Sequence, residues 1–173
     1  RVDYLDLARQ VAAFVEGKGE AITPMKPAQS APAPDPKEVA EAILQIIRVP
    51  LAERLWYVVD GMRLGLTADQ IFAATKIDPW FLQQFEEIIA AERALAATKG
   101  RALTTEELAL AKRDGFTDMT IAALRGEVAA DVRAARKAQD VVPVYSRVDT
   151  CAAEFVAHTP YMYSTWGTSS ESA

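Results

Sequence analysis

Apolar residues spaced by threes and fours run through most of this chain, and glycine, proline and threonine cut the pattern into short blocks. That combination dictates helices of modest length, because a 3.6-residue period keeps one stripe of each block apolar while the interrupting residues stop or cap it. From Asp3 to Glu16 the stripe is Tyr4, Leu7, Val11, Phe14 and Val15, closed by Gly17 and Gly19. It resumes at Val39, Ile43, Ile46 and Ile47, breaks near Pro50, and returns through Leu55, Trp56, Val59 and Met62 up to Gly65. Thr67 is placed to cap a short helix from Ala68 to Thr75, and Asp78 before Pro79 starts a longer one reaching toward Thr98. Thr104, with Glu107 three places on, forms a capping box ahead of Leu108, and Gly115 ends that helix. Two further helices are predicted, from Asp118 to Leu124 and from Glu127 to Gln139. The predicted fold class is therefore all-α: a compact multi-helix domain.

The ends of the chain differ from its middle. Five of the nine prolines fall between Pro24 and Pro36, where missing N–H donors prevent a helix and favour an extended linker. Beyond Pro143, Val141-Val142-Pro143-Val144-Tyr145 reads as an extended or strand-like run, followed by a segment rich in aromatic and hydroxyl residues. The expected organisation is an N-terminal helix of open affiliation over 1–16, a proline-rich linker over 17–36, a helical domain over 37–140, and an extended connecting tail over 141–173. The chain begins at Arg1 and not at methionine, so a fragment or a processed product is expected, with ends that need not be natural boundaries.

One stretch is echoed within the chain. Gly65-Leu66-Thr67 followed by Ile71 matches Gly115-Phe116-Thr117 followed by Ile121, 50 positions later. Each reads as glycine, apolar residue, threonine cap, short helix, turn and longer helix, which predicts two related helical corners.

Composition narrows the chemistry. Half of the residues are apolar and a quarter charged, enough for a real core, and the net charge of -5 opposes general attraction to nucleic-acid phosphates. Cys151 has no second cysteine to pair with and His158 is the only histidine, so no disulfide framework or Cys/His metal cluster is encoded, and a cytosolic setting is expected. Cys151 is expected to pack as a small apolar residue between helices, and His158 to lie in solvent. No apolar run is long enough to cross a bilayer, and the first residues lack the order of a secretion signal. The eight glycines stand singly, so no loop brings several backbone N–H groups around a phosphate. Glu86, Glu87, Glu106 and Glu107 fall where exposed helix faces and first turns favour negative charge. Catalytic, cofactor-binding and metal-ligating residues are accordingly expected to be absent.

Two interaction readings compete. Gly65 to Leu82 has the outline of a helix-turn-helix nucleic-acid binder, with a turn at Lys76-Ile77-Asp78. The first turn of a reading helix needs polar groups for base edges, yet Trp80, Phe81 and Leu82 occupy it, leaving Gln83 and Gln84 for that work. Trp56, Trp80, Phe81, Phe85 and Phe116 are better suited to a core or a protein interface. Trp80 and Phe81 are adjacent on a helix, about 100° apart, so both cannot face one core equally and one is a candidate subunit contact. In the tail, Arg147, Asp149 and Glu154 are expected to pair with the helical body or a neighbouring domain, and Tyr145, Tyr161 and Tyr163 are further candidate contacts.

Thr75-Lys76-Ile77-Asp78-Pro79-Trp80-Phe81-Leu82 resembles a segment of the oligomerisation domain of carbamoyl-phosphate synthetase large subunits. Pro143-Val144-Tyr145-Ser146-Arg147-Val148-Asp149-Thr150-Cys151-Ala152-Ala153-Glu154-Phe155, then Thr159-Pro160-Tyr161-Met162-Tyr163-Ser164-Thr165, is similar to the stretch leading from that domain into the second synthetase half. Glu53-Arg54-Leu55-Trp56-Tyr57 and Lys112-Arg113-Asp114-Gly115-Phe116 agree in the same order, so the resemblance covers about Ile47 to Trp166 and leaves the first ~45 residues unmatched. Ser146 and Trp166 depart from the lysine and tyrosine usual there. The resemblance implies a non-catalytic, mostly α domain that mediates subunit association and links two ATP-grasp halves of a cytoplasmic ligase. It further implies that the parent enzyme uses ATP and magnesium to make carbamoyl phosphate for arginine and pyrimidine biosynthesis, with a small glutaminase subunit. The implied partners are the other domains of the same large subunit and further copies in a homo-oligomer, without nucleic acid or membrane.

Overall fold

The computed structural model describes residues 3–15, 35–152, 154–155 and 161–171. The proline-rich linker lies outside these residues apart from Asp35 and Pro36, as does His158. Among the described residues there are eight helices: α1 Tyr4–Val15, α2 Pro36–Ile46, α3 Arg54–Arg63, α4 Ala68–Thr75, α5 Pro79–Ala97, α6 Thr105–Arg113, α7 Asp118–Arg125 and α8 Ala129–Ala138. Two short strands follow, β1 Val144–Arg147 and β2 Met162–Thr165. The all-α expectation holds for the body of the chain.

The chain forms two compact units, residues 1–90 and 91–173. In the first, Ile43, Ile46, Ile47, Val58, Ile71 and Leu82 are fully buried, and α1 joins them through Leu7 and Val11. The Tyr4 ring meets Tyr57 edge-on at 5.7 Å, and its hydroxyl donates to the Asp60 carboxylate, which gives the N-terminal helix a place on α3. Arg54 closes the opposite side: Nε donates to Ile47 O at 2.6 Å and Nη2 to Thr75 O at 3.0 Å, so one guanidinium ties the start of α3 to the ends of α2 and α4. The second unit is built on Leu95, Leu103, Leu108, Ala111, Phe116, Ile121, Ala122, Val132 and Val141. Helix α5 supplies Leu82 and Ile89 to the first core and Leu95 to the second.

The echo between the two halves is realised as structure. Helices α4 and α7 have the same length and begin 50 positions apart, as do the starts of α5 and α8. Leu66 N–H donates to Gly61 O at 3.0 Å and Phe116 N–H to Ala111 O at 3.0 Å, while Gly65 and Gly115 return their N–H groups to Met62 and Lys112. This is the Schellman ending, which requires a left-handed residue; Gly65 (φ 100°) and Gly115 (φ 89°) supply it. Thr67 and Thr117 then cap the next helix by accepting from Gln70 N–H at 3.2 Å and Thr120 N–H at 3.0 Å. The expected capping box at Thr104 and Glu107 is present, and a second joins Thr67 to Gln70.

The strand-like reading of the tail is borne out, and its extended segments pair with each other. Strands β1 and β2 pair antiparallel, with Val144 opposite Thr165 and Arg147 opposite Met162, and Glu171 N–H returns to Tyr145 O at 2.7 Å. Strand β2 gives no hydrophobic alternation because its first three residues are all exposed; the tyrosine and threonine preference for strands was its remaining signal. Cys151 differs from expectation: it is half-exposed in the segment after β1, its N–H donating to Asp149 at 3.0 Å, and is not held between helices.

At Gly115 an added Cβ meets nothing within 4 Å, so Gly115→Ala tests the left-handed backbone alone. A loss of about 1 kcal/mol is expected, with helical circular dichroism unchanged, when thermal unfolding of the two chains is compared.

Candidate interaction sites

Two groups of side chains stand apart from the ordinary core and surface, one in each unit. In the first unit Trp56, Trp80 and Phe81 are 73%, 60% and 54% exposed. Asp78 accepts from Trp80 N–H at 2.8 Å and so sets the first turn of α5, which points the Trp80 and Phe81 rings outward, edge to face at 5.0 Å. Trp56 lies on α3, two residues after Arg54 and therefore on a different side of that helix from the Arg54–Thr75 contact, so it is an outward ring separate from the Trp80–Phe81 pair. Leu82 is fully buried and Phe85 is packed against the first core, so of the five aromatics singled out in the sequence, Phe85 and Phe116 serve cores and the other three face outward.

The second unit provides an internal control. Fifty positions beyond Trp56, Trp80 and Phe81 stand Glu106, Ala130 and Asp131, all exposed. The same helical corner forms with a carboxylate, a methyl group and a carboxylate there, so folding does not require large aromatics at these places. At about 150–250 Å² for a whole aromatic side chain, three rings more than half exposed leave on the order of 300 Å² or more of apolar surface. Trp80 and Phe81, in ring contact with each other, make one continuous part of that surface.

The helix-turn-helix outline exists as α4, a turn and α5, but its second helix presents Trp80 and Phe81 where base-reading groups belong. Gln83 spends its amide on Glu87 at 3.2 Å, and Gln84 is half-buried. This face is chemically suited to protein and not to base edges.

In the second unit, buried charge replaces apolar surface. Lys112 donates to Phe116 O at 2.7 Å and to Asp118 at 3.0 Å, while Arg136 Nε reaches both Asp118 oxygens at 3.0 Å. Burial pushes the Asp118 carboxyl upward, but hydrogen bonds and charge from Lys112 and Arg136 outweigh it and hold it below the ordinary value. Arg125, also buried, spends its five N–H groups on Thr98, Arg101 and Glu127. It lines a cleft of about 360 Å³ beside Leu103, Leu108 and Val132, yet has no donor left to offer an anion. The Arg101 guanidinium grips Glu107 and, with the Thr104 N–H, lowers its carboxyl to about 2. Helical periodicity gave no sign that Lys112, Arg125 and Arg136 are buried. Among the described residues no three His, Cys, Asp or Glu side chains cluster to hold a metal, and no helix is long and apolar enough to cross a membrane.

The tail candidates are brought to the surface. Tyr145, Tyr161 and Tyr163 are about half exposed or more. Arg147 is exposed, without an ion pair among the described residues, and it is its backbone N–H that is held, by Glu171. Asp149 accepts from Cys151 N–H, and Glu154 is exposed. The expected pairing of these charges with the helical body is not seen among the described residues.

Residues 16–140 match the family described as carbamoyl-phosphate synthetase large chain, oligomerisation domain. The chain is 45% identical over 126 residues to the carbamoyl phosphate synthase large chain of Ralstonia nicotianae, 47% over 120 residues to that of Halomonas eurihalina, and 45% over 115 residues to that of Vibrio parahaemolyticus. These alignments take in 73%, 69% and 66% of this chain but 12%, 11% and 11% of the relatives. The family match starts well before Ile47, which corrects the expectation that the first ~45 residues have no counterpart, and it ends ahead of the tail.

Acid should weaken the second unit selectively. Asp118 and Glu107 have lowered folded values, so their stabilisation is complete above their ordinary values of 3.8 and 4.5 and is lost as pH falls below these toward about 2. Amide exchange measured from pH 5 to pH 2.5 should show α6 to α8 opening over that range. Asp118→Ala should cost about 3 kcal/mol at pH 7, because it strands two buried cations, and should flatten the acid response.

Proposed function

The chain belongs to the oligomerisation-domain family of the carbamoyl-phosphate synthetase large chain, and from that membership we propose that it is a non-catalytic module through which copies of the large chain associate and two ATP-grasp halves are linked. The observation that carries the association role is the outward-facing set Trp56, Trp80 and Phe81, which the equivalent corner folds without. A standard interface buries about 800 Å² per partner with an aromatic centre and a polar rim. Trp80 and Phe81 provide such a centre, and Lys76, Asp78 and Glu87 lie near it in sequence with both signs of charge, which suits an isologous contact in which the same patch meets itself. The linking role falls to the tail, where Tyr145, Arg147, Asp149, Glu154, Tyr161 and Tyr163 present aromatic rings and charges for an adjoining synthetase half.

The chemistry lies in the parent enzyme. There, ATP and magnesium drive formation of carbamoyl phosphate from bicarbonate and glutamine-derived ammonia, a ligase reaction of arginine and pyrimidine biosynthesis in the cytoplasm, with a small glutaminase subunit as partner. This chain contributes position: it holds catalytic bodies at defined separations.

Light scattering across a concentration series tests the association role. The chain should gain mass with concentration, and Trp80→Ser with Phe81→Ser should raise the dissociation constant at least about tenfold without loss of helix content, as expected for aromatic residues at the centre of an interface. A mass independent of concentration, or association indifferent to both substitutions, would remove the aromatic patch from the mechanism.

A further inference from the structure

The two helical corners match at several core positions, among them Val58 with Leu108, Ile71 with Ile121 and Leu82 with Val132, and differ in charge around one spot. Met62, Ala68 and Glu86 in the first correspond, 50 positions on, to Lys112, Asp118 and Arg136 in the second. Met62 is 5% exposed and Lys112 6%, so a cation occupies a place where the same corner elsewhere keeps a thioether. Burying lysine and arginine is costly, and one shared carboxylate leaves the group with a net positive charge in a nearly dry setting. Phe116 O and Val141 O each accept a hydrogen bond from one cation, but carbonyl dipoles only partly offset that charge.

The tail supplies what is missing. The Trp166 ring lies over both cations, with Lys112 Nζ 4.8 Å and the Arg136 guanidinium carbon 5.2 Å from its centre. An aromatic face is electron-rich, and its attraction for a cation strengthens when water is excluded. Trp166 follows β2 directly, while Val141, buried in the second core, precedes β1. Arg136 therefore touches both ends of the strand pair: Nη1 donates to Val141 O at 3.1 Å and the guanidinium lies under Trp166. A two-stranded ribbon is marginal by itself, and here Tyr145, Met162 and Tyr163 leave much of it uncovered.

We infer that Lys112, Asp118 and Arg136 form a socket for Trp166, a latch that fastens the C-terminal strand pair to the second helical unit and sets the direction in which the chain leaves it. Trp166 acts here through its π face, and the three charged residues position it. The latch is independent of self-association and of Trp56, Trp80 and Phe81.

Amide hydrogen exchange on the whole chain tests it. Trp166→Ala should speed exchange throughout β1 and β2 on the order of tenfold, with Leu108 and Ile121 amides in α6 and α7 unchanged. Trp166→Phe, which keeps a π face, should retain most of the protection, and Trp166→Leu, which keeps apolar bulk alone, should behave like the alanine variant. Unchanged strand protection in Trp166→Ala would overturn the latch. So would parallel loss of helix protection, which would make Trp166 a general core residue, or equal rescue by leucine and phenylalanine, which would remove the cation–π basis.

Discussion

The glycine-closed, threonine-capped corner is the contact on which the rest of this structure depends. A helix ends in a left-handed glycine, the next apolar residue folds back onto the last turn, and a threonine opens a short helix across it. Leu66 and Phe116 are the folded-back residues, and each enters a core. In the first corner the approach is close enough that a Cβ on Gly61 would come within 2.8 Å of Leu66 Cδ1 and 3.1 Å of Ile43 Cγ2, whereas the second corner has room for Ala111 at the same place. Backbone hydrogen bonds thus set the angle between helices, and the apolar stripes fill the space that this angle creates.

Using one corner twice separates what the fold needs from what has been added. Val58 and Leu108, Ile71 and Ile121, and Leu82 and Val132 are buried in matching places. Two differences bear on contacts beyond the corner itself: exposed aromatics on the first corner and a buried charge cluster on the second. Neither follows from helix formation. The first set suits contact with another protein, and the second receives the tail, so the corners have been turned to separate connecting tasks on one architecture.

Much of the helical framework was legible because its signals are local. Thr67, Thr104, Asp78 with Pro79, Gly65 and Gly115 each act within one turn of the backbone, and each helix boundary they imply lies close to the observed one. What was hidden depends on tertiary surroundings. Periodicity assigns a residue to a face but does not say whether that face is covered, so Trp56 and Trp80 looked the same as core tryptophans. The burial of Lys112 and Arg136 gave no local signal; the readable clue was that Lys112 occupies the place of Met62 in the other corner. Strand β2 was obscured because both sides of it are open and no alternation marks it.

Arg54 has a further electrical meaning. The carbonyls it binds, those of Ile47 and Thr75, belong to the C-terminal ends of α2 and α4, where aligned peptide dipoles concentrate negative potential. A single planar cation thereby serves as counter-charge to two converging dipoles at once. A lysine there would carry the same charge but, as a point donor, could not span both carbonyls in one fixed plane, so the joint depends on the shape of the guanidinium as much as on its sign.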